Sequence, residues 1–332
     1  MGANTKIQLA HHTFNPWRVR GPNGTRVVAS EAMWRKPFKW NRDGCPQCKG
    51  HGVVADWVGT LAGDLEQSAK DCSTCLGSDD FRPRVFCGSL CDVFEDWGGE
   101  IRGSSGGVMW DAPGLSWQEQ MLPGRTDGIM RDGGGRRLTL ADARVRLFRL
   151  IDSTQSLDWL LLTKRPENVR RMLPIKTGRR DAIKDGRANI EAWRRENVWL
   201  GSSIACRDDL KNLSELRKCK DLAAKIFVSA EPLIEDLGNV DWSGIDWVIV
   251  GGESGRNARP CDIAWIRSIV RQCREAEVPV FVKQLGAAAF EWAEIDDRPR
   301  PEARDKNFLG LRDPKGGDPA EWPEDVRVRE VP

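Results

Sequence analysis

Short runs of apolar residues that each end in small, hydroxyl or charged residues recur along this chain. Continuous runs of this kind are typical of parallel strands that are covered on both faces. The clearest example lies at 246–255, where Asp-Trp-Val-Ile-Val is followed by Gly-Gly-Glu-Ser-Gly. The same pattern recurs at 84–89, 159–165, 198–203, 225–231 and 278–284, and a shorter strand is predicted within 11–15. The pattern predicts an α/β protein with a parallel sheet.

The segments between these runs differ in their periodicity. Residues 141–157, 208–219 and 265–276 are predicted to be helices, and the first of these is amphipathic. The highly charged residues 175–196 are also predicted to be helical, with a solvated face. Residues 98–137 are rich in Gly and Pro and are predicted to form a long loop or lid.

Polar residues at the ends of these runs are candidates for binding a ligand. Parallel sheets place their sites at the carboxyl ends of the strands. Thr163, Lys164 and Arg165 end one run, and the two cations could bind a phosphate or a carboxylate, with surface ion pairing as the alternative. Gly251 and Gly252 end another run and are also assigned to ligand binding.

Two carboxylates follow neighbouring runs and are candidates for catalysis. Glu231 and Glu253 could converge on one edge of the sheet and act there with Lys283 as acid and base, or could bind a cation. The alternative is that Arg256, Arg259 or Lys283 simply neutralises them.

Two C-x-x-C units predict a structural zinc site. Cys45 and Cys48 form the first unit, Cys72 and Cys75 form the second, and residues 49–71 separate them. Each unit offers two thiolates from one tight turn, so together they can surround one tetrahedral ion. Four unligated cysteines are the alternative.

Composition is ordinary for a folded chain and narrows the function only slightly. The 332 residues are 40% hydrophobic and 30% charged, with a formal net charge of +2. That charge gives no overall nucleic-acid signature, and no apolar run approaches the roughly 20 residues that span a membrane. The first residues lack the apolar core of a signal peptide, and ten cysteines in an unexported chain indicate metal or buried thiols. We therefore expect a cytoplasmic protein without a membrane partner.

The chain organises into a main domain with one insertion and a tail. Residues 1–40 and 83–290 are assigned to the main domain, residues 41–82 to a zinc-knuckle insertion, and residues 291–332 to a charged tail. Within the first part, one stretch could form a stacking and charge surface for nucleic acid, or could simply pack with its charged ends in solvent. Its residues are Trp34, Arg35, Lys36, Lys39 and Trp40.

Seven separated segments resemble, in this order, those of the phage gp-thirty-seven-like family. The segments lie at 14–17, 34–37, 85–89, 161–166, 197–201, 247–260 and 281–286. The resemblance covers roughly 10–40 and 83–287. It implies a phage or mobile-element protein of uncharacterised function, active in the host cytoplasm, with a partial or complete (β/α) barrel similar to radical-SAM proteins. It also implies a three-cysteine loop after Asn-Pro-Trp, which would bind a [4Fe-4S] cluster for S-adenosylmethionine chemistry.

This sequence departs from that family at the cluster loop. After Trp17 the chain continues without a cysteine until Cys45. Cys87 and Cys91 have the first spacing of a C-x-x-x-C-x-x-C motif, but Phe94 stands at the third position. A radical-SAM cluster needs three thiolates. The favoured hypothesis is a relative that has lost the cluster and carries structural zinc.

Two other hypotheses stay open at this stage, as does the question of whether the protein is an enzyme. One is an active iron–sulfur enzyme that uses S-adenosylmethionine to modify a nucleotide or a nucleic acid, with the four paired cysteines holding the cluster. The other is a zinc-dependent module that binds nucleic acid through the Trp-rich basic stretch.

Overall fold

Strands and helices follow one another along the residues that the computed structural model describes, which are 8–20, 25–49, 51, 53–59, 65–72, 74–75, 81–88, 91–99, 101–103, 110–112, 115–117, 136–175, 183–184, 187–188, 193–291 and 309–332. The strands are β1 His12–Phe14, β2 Trp17–Arg20, β3 Thr25–Val28, β4 Val53–Gly59, β5 Leu65–Asp71, β6 Arg84–Cys87, β7 Ile101–Gly103, β8 Trp110–Ala112, β9 Leu115–Trp117, β10 Asp158–Thr163, β11 Ile183–Lys184, β12 Arg187–Ala188, β13 Arg195–Ser203, β14 Ala223–Ala230, β15 Trp247–Gly251, β16 Cys261–Asp262, β17 Val280–Gln284 and β18 Ala289–Phe290. The helices are α1 Glu31–Asp43, α2 Leu140–Asp152, α3 Val169–Met172, α4 Lys211–Arg217 and α5 Ile263–Glu275.

The main sheet has seven parallel strands in the order β1-β6-β10-β13-β14-β15-β17. Neighbours in the sheet are also consecutive among these strands along the chain, so the order never reverses. This order is the one found in (β/α) barrels, whereas doubly wound sheets contain a reversal. The prediction of an α/β protein with a parallel sheet is confirmed, and every apolar run identified from the sequence is one of its strands.

The chain divides into two compact units. Unit 1 comprises Met1–Leu161 and Met172–Val198, and unit 2 comprises Leu162–Arg171 and Trp199–Pro332. The described members of the predicted insertion lie in unit 1, and the predicted ligand-binding and catalytic residues all lie in unit 2. The domain boundaries assigned from the sequence stay a prediction.

An aromatic cluster fills the core of unit 2. The ring of Trp247 lies 5.9 Å from that of Trp199, 6.0 Å from that of Phe227 and 6.1 Å from that of Phe281. These four residues come from four neighbouring strands, so one layer of large rings joins β13, β14, β15 and β17. Edge-to-face and tilted pairs of this kind add to the stabilisation that burial provides.

The helices are short, and their ends follow the expected signals. Thr139 caps α2 in a reciprocal capping box with Asp142, and Asp262 caps α5 by accepting the N–H of Ala264. Among the described helices, none has the length and apolar character needed to cross a membrane. The helix predicted over 175–196 is wrong for the described part of that range, because β11 and β12 pair there as an antiparallel hairpin.

In unit 1, α1 packs through its aromatic side. Trp34 is buried, lies edge-on to Phe14, and has the guanidinium of Arg146 over its ring at 4.3 Å. Trp40 stacks on His12 with ring centroids 4.2 Å apart. The predicted stacking surface is therefore wrong for Trp34, since a buried ring cannot receive a base.

The end of the chain packs against the edge of the sheet. Val282 donates its backbone N–H to Val328 at 2.8 Å, and Glu330 donates to Val280 at 2.9 Å, so this segment pairs antiparallel to β17. Trp322 and Val326 are buried. Of the predicted charged tail, residues 309–332 thus form part of unit 2, while residues 292–308 lie outside the described residues. An edge strand covered in this way is protected from pairing with other chains.

Candidate metal centre and carboxyl-edge site

The two C-x-x-C units meet in unit 1 as a compact, buried set of thiols. The Sγ atoms of Cys45 and Cys72 lie 3.6 Å apart, as do those of Cys48 and Cys75. All four ligand atoms lie within 4.8 Å of one another, and no residue of the set is more than 5% exposed. In a tetrahedral site with metal–sulfur bonds of 2.3 Å, sulfurs are about 3.8 Å apart. The four thiols could therefore hold one metal ion with little rearrangement.

Local hydrogen bonds hold the two C-x-x-C turns in this arrangement. Lys49 donates its backbone N–H to Cys45 at 2.8 Å, which closes the first turn directly after α1. Gln47 links the turns, because its Oε1 accepts the hydroxyl of Thr74 at 2.6 Å and the thiol of Cys72 at 3.3 Å. The backbone turn after α1 and the side chain of Gln47 thus hold the thiols in place.

The pKa values of Cys45 and Cys72 are shifted in opposite directions. Burial raises the pKa of Cys45. Burial also acts to raise the pKa of Cys72, but hydrogen bonds from the amides of Cys75 and Thr74 and from neighbouring thiols outweigh it and lower that pKa to about 7. Amide donors around a sulfur stabilise its thiolate, which is the form that binds a metal.

All ten cysteines lie among the described residues, and only these four form a potential metal site there. Burial raises the pKa of Cys87 well above its ordinary value, and that of Cys91 to about 12. Burial likewise raises the pKa of Cys261 and Cys273 to about 12 each. The buried thiols of Cys87, Cys261 and Cys273 behave as small apolar core groups.

The hairpin of β2 and β3 stands where the resemblance places a cluster loop. Trp17 begins β2, is buried, and donates its indole N–H to Glu95 at 3.3 Å. Arg26 of β3 also donates to Glu95, and its guanidinium lies 4.0 Å from the ring of Trp97. This part of unit 1 is built on a buried ion pair and aromatic contacts.

The carboxyl-edge residues of unit 2 begin at the end of β10. Thr163 is buried, and its hydroxyl accepts the N–H of Arg165 at 3.0 Å. Lys164 and Arg165 follow it on the surface. The hydroxyl therefore shapes the turn, and the assignment of these three residues to ligand binding stays a prediction.

Lys283 occupies an irregular position in the sheet and contacts Glu231. Val250 pairs with Val282, but Gly251 pairs with Gln284, so Lys283 is an extra residue in β17. A bulge of this kind re-aims a side chain and is common beside functional sites. The Lys283 Nζ donates to both Glu231 oxygens, at 2.7 and 2.9 Å. Burial raises the pKa of Glu231, and the nearby ammonium acts against that rise.

Gly251 and Gly252 are required by close backbone packing. A Cβ atom at Gly252 would lie 2.1 Å from the backbone oxygen of Leu285, and one at Gly251 would lie 2.7 Å from that of Gln284. Gly252 also donates to the Gln284 oxygen at 3.1 Å and accepts its side-chain amide at 2.9 Å. Packing accounts for both glycines, and a ligand-binding role stays a prediction.

Glu253 accepts two hydrogen bonds within the loop that follows β15. Its Oε2 accepts the backbone N–H of Arg259 at 3.0 Å and the Nε–H at 2.7 Å. The side-chain bond from Arg259 is the main cause of a lowered pKa at Glu253. Glu231 and Glu253 therefore have separate basic partners, as in the alternative in which basic residues neutralise both. A catalytic role for either carboxylate stays a prediction.

Comparison with known proteins gives one finding. A family model described as "Protein of unknown function (DUF5131)" matches residues 139–310. No curated protein and no solved structure matches the chain. The match contains the carboxyl-edge residues and leaves the four-thiol set outside.

Proposed function

This chain belongs to DUF5131, a family described only by its unknown function, so its function must come from its own residues. We propose that it is a zinc-bearing relative of the radical-SAM-like phage proteins that has lost their iron–sulfur loop. In this proposal the parallel strands form part of a (β/α) barrel. The protein binds a ligand at the carboxyl edge of the sheet, and the zinc ion is structural.

The spacing of the four thiols is the observation that carries this proposal. The two Sγ pairs at 3.6 Å match the sulfur separation around one zinc ion. A [4Fe-4S] cluster places its thiolates on four different iron atoms, so its sulfurs lie much farther apart. Cys45, Cys48, Cys72 and Cys75 would hold the zinc ion. A site with four protein ligands has no open position, so the ion would cross-link the two turns.

The residues do not fit the cluster that the family resemblance implies. That cluster needs three thiolates after Trp17, where the chain instead enters the hairpin of β2 and β3. We therefore assign no step to S-adenosylmethionine cleavage. At the carboxyl edge, Thr163, Lys164 and Arg165 would contact the ligand, and Glu231, Glu253 and Lys283 would be available for proton transfer if the protein is an enzyme.

Metal and sulfide analysis of protein purified without oxygen tests this proposal. We expect about one zinc ion per chain, no iron, no sulfide and no visible chromophore. Iron with sulfide, together with a brown colour, would instead favour an active iron–sulfur enzyme that modifies a nucleotide or a nucleic acid. Iron without sulfide would also contradict the assignment of zinc.

A second candidate function is nucleic-acid binding through the exposed face of α1. Arg35, Lys36, Phe38 and Lys39 lie on that face, and the helix leads directly into Cys45. This combination of cations and one partly exposed ring fits single-stranded nucleic acid better than a small ligand. The buried Trp34 takes no part in this version of the proposal.

For this second candidate, a fluorescent single-stranded oligonucleotide should bind with an affinity that falls steeply with salt. Lys36→Gln and Lys39→Gln should each reduce the magnitude of the slope of log affinity against log salt by about 0.7. Lys211→Gln, at an exposed position of α4, should leave the slope unchanged. Binding that is insensitive to salt would reject nucleic acid as the partner of this face.

A further inference from the structure

A cavity of about 460 Å³ lies in unit 2, apart from the four-thiol set. Its walls come from residues 254–256 and 258 after β15, residues 286–288 after β17, and residues 313–315 near the end of the chain. Its volume falls within the range of about 300–1,000 Å³ that is usual for small-molecule sites. It also opens at the carboxyl ends of two parallel strands, where such sites are expected.

The walls of this cavity are held in place by backbone contacts. Leu285 donates its N–H to the oxygen of Gly316 at 2.8 Å, and Ala287 donates to that of Glu253 at 2.8 Å. Gly286 has φ +102°, a conformation that favours glycine, and Gly316 packs against its backbone. The cavity is therefore formed before any ligand arrives, which lowers the entropic cost of binding.

Positive charge dominates the polar part of the walls. The guanidinium of Arg256 has no hydrogen bond or ion pair with another described residue, and Lys315 is exposed in the wall segment near the end of the chain. Asp313 is the acidic residue of the lining, but its Oδ1 already accepts the N–H groups of Lys315 at 2.7 Å and Gly317 at 3.2 Å. These amide bonds lower the pKa of Asp313. Its carboxylate is thus engaged within its own turn.

We propose that this cavity binds a small molecule that carries a phosphate group, with Arg256 and Lys315 as its anion-binding residues. A phosphate monoester has a charge of about −1.5 to −2 at pH 7, so it is attracted to a lining in which the two cations outnumber the one carboxylate. Arginine offers a fork of donors to phosphate oxygens, and lysine adds a point charge. Ala258, Ala288 and Pro314 supply an apolar wall for the rest of the molecule. This site lies within unit 2 and does not depend on the metal proposed for unit 1.

Calorimetric titration of the full chain with adenosine 5′-monophosphate, adenosine and inorganic phosphate tests the proposal. We expect the monophosphate to bind, inorganic phosphate to bind more weakly, and adenosine to bind at least about tenfold more weakly than the monophosphate. Arg256→Gln and Lys315→Gln should each weaken monophosphate binding by about tenfold. Arg274→Gln, at an exposed position of α5 outside the cavity, should bind as the unaltered protein does.

Two results would overturn the proposal that the cavity binds a phosphate group. If neither the monophosphate nor inorganic phosphate gives a saturable signal, the cavity is not a phosphate site. The same conclusion follows if the Arg256→Gln and Lys315→Gln proteins bind as tightly as the Arg274→Gln protein. Thermal unfolding of each variant will show that it is folded, and the zinc content is measured separately, so failure of this proposal and failure of the metal proposal are distinguishable.

Discussion

Replacing Cys72 with serine should abolish stoichiometric metal binding and loosen the turns around the four thiols. Cys72 is fully buried and contacts Cys45 across the set, so its loss leaves three thiolates and one hydroxyl around the ion. Structural zinc sites in small domains bind with about 10–16 kcal/mol, and that energy is also folding energy. We expect the metal content to fall well below one ion per chain, and hydrogen exchange to become faster in the segments around Cys45 and Cys75.

Cys206→Ser is the matched control for this experiment. Cys206 is a partly exposed cysteine of unit 2 whose thiol contacts Asp209, far along the chain from the four-thiol set. Its replacement should leave both metal content and hydrogen exchange in unit 1 unchanged. A Cys72→Ser protein that retains a full equivalent of metal would show that the four thiols are not the metal site.

Replacing Lys283 with methionine should destabilise the protein in a pH-dependent manner. The substitution leaves Glu231 largely buried without its cation. Loss of one partner costs about 3–5 kcal/mol for a fully buried pair and about 0–1 kcal/mol for an exposed pair. Because the Lys283 side chain is 43% exposed, we expect a loss of about 1–3 kcal/mol at pH 8.

The sign of the pH dependence follows from the pKa of Glu231. Burial raises that pKa above its ordinary value of 4.5, so the folded state holds this proton more tightly than the unfolded chain does. The favourable contribution of this group is therefore complete below pH 4.5 and declines as pH rises through the folded-state pKa. Without Lys283 the folded-state pKa should rise further, so the two proteins should be similar in acid and diverge toward alkaline pH.

Urea unfolding between pH 4 and pH 9 measures this divergence. Lys211→Met, at an exposed position of α4, is the control and should follow the unaltered protein at every pH. Adding Glu231→Gln to Lys283→Met should remove most of the added pH dependence, since no carboxyl group then remains to titrate. A stability difference that is the same at all pH values would show that lost packing, and not the uncompensated carboxylate, causes the effect.

Hydrophobic patterning predicts the later strands of the main sheet, β13, β14, β15 and β17, because most of their residues are buried. All five residues of β15 are buried, for example, so the run of apolar letters and the strand coincide. The pairing of the two C-x-x-C units was also predictable, because each tight turn fixes two thiols. The helix α1 was not predicted, since Pro37 lies in its interior and proline ordinarily argues against a helix there.

The sequence does not predict the bulge at the carboxyl edge of the sheet or the packing of the last residues of the chain. Alternation along β17 does not reveal the bulge at Lys283, because the pairing register between two strands depends on both of them. The charge of the last residues predicts a tail, yet Arg329 packs over the rings of Phe281 and Trp322 at 5.3 and 5.2 Å. A charged side chain that covers aromatic rings with its planar end looks like a solvated residue in the sequence. The cavity wall at residues 313–315 is not predictable either, because its exposed residues look like any other solvated segment in the sequence.

The strand order of the main sheet has a practical consequence for anyone who divides this protein by family boundaries. The matched segment starts at residue 139, after β1 and β6, and stops at residue 310, before the segment that pairs with β17. A fragment cut at those limits would expose β10 on one side and β17 on the other as bare edges. Two unprotected edges invite pairing between fragments.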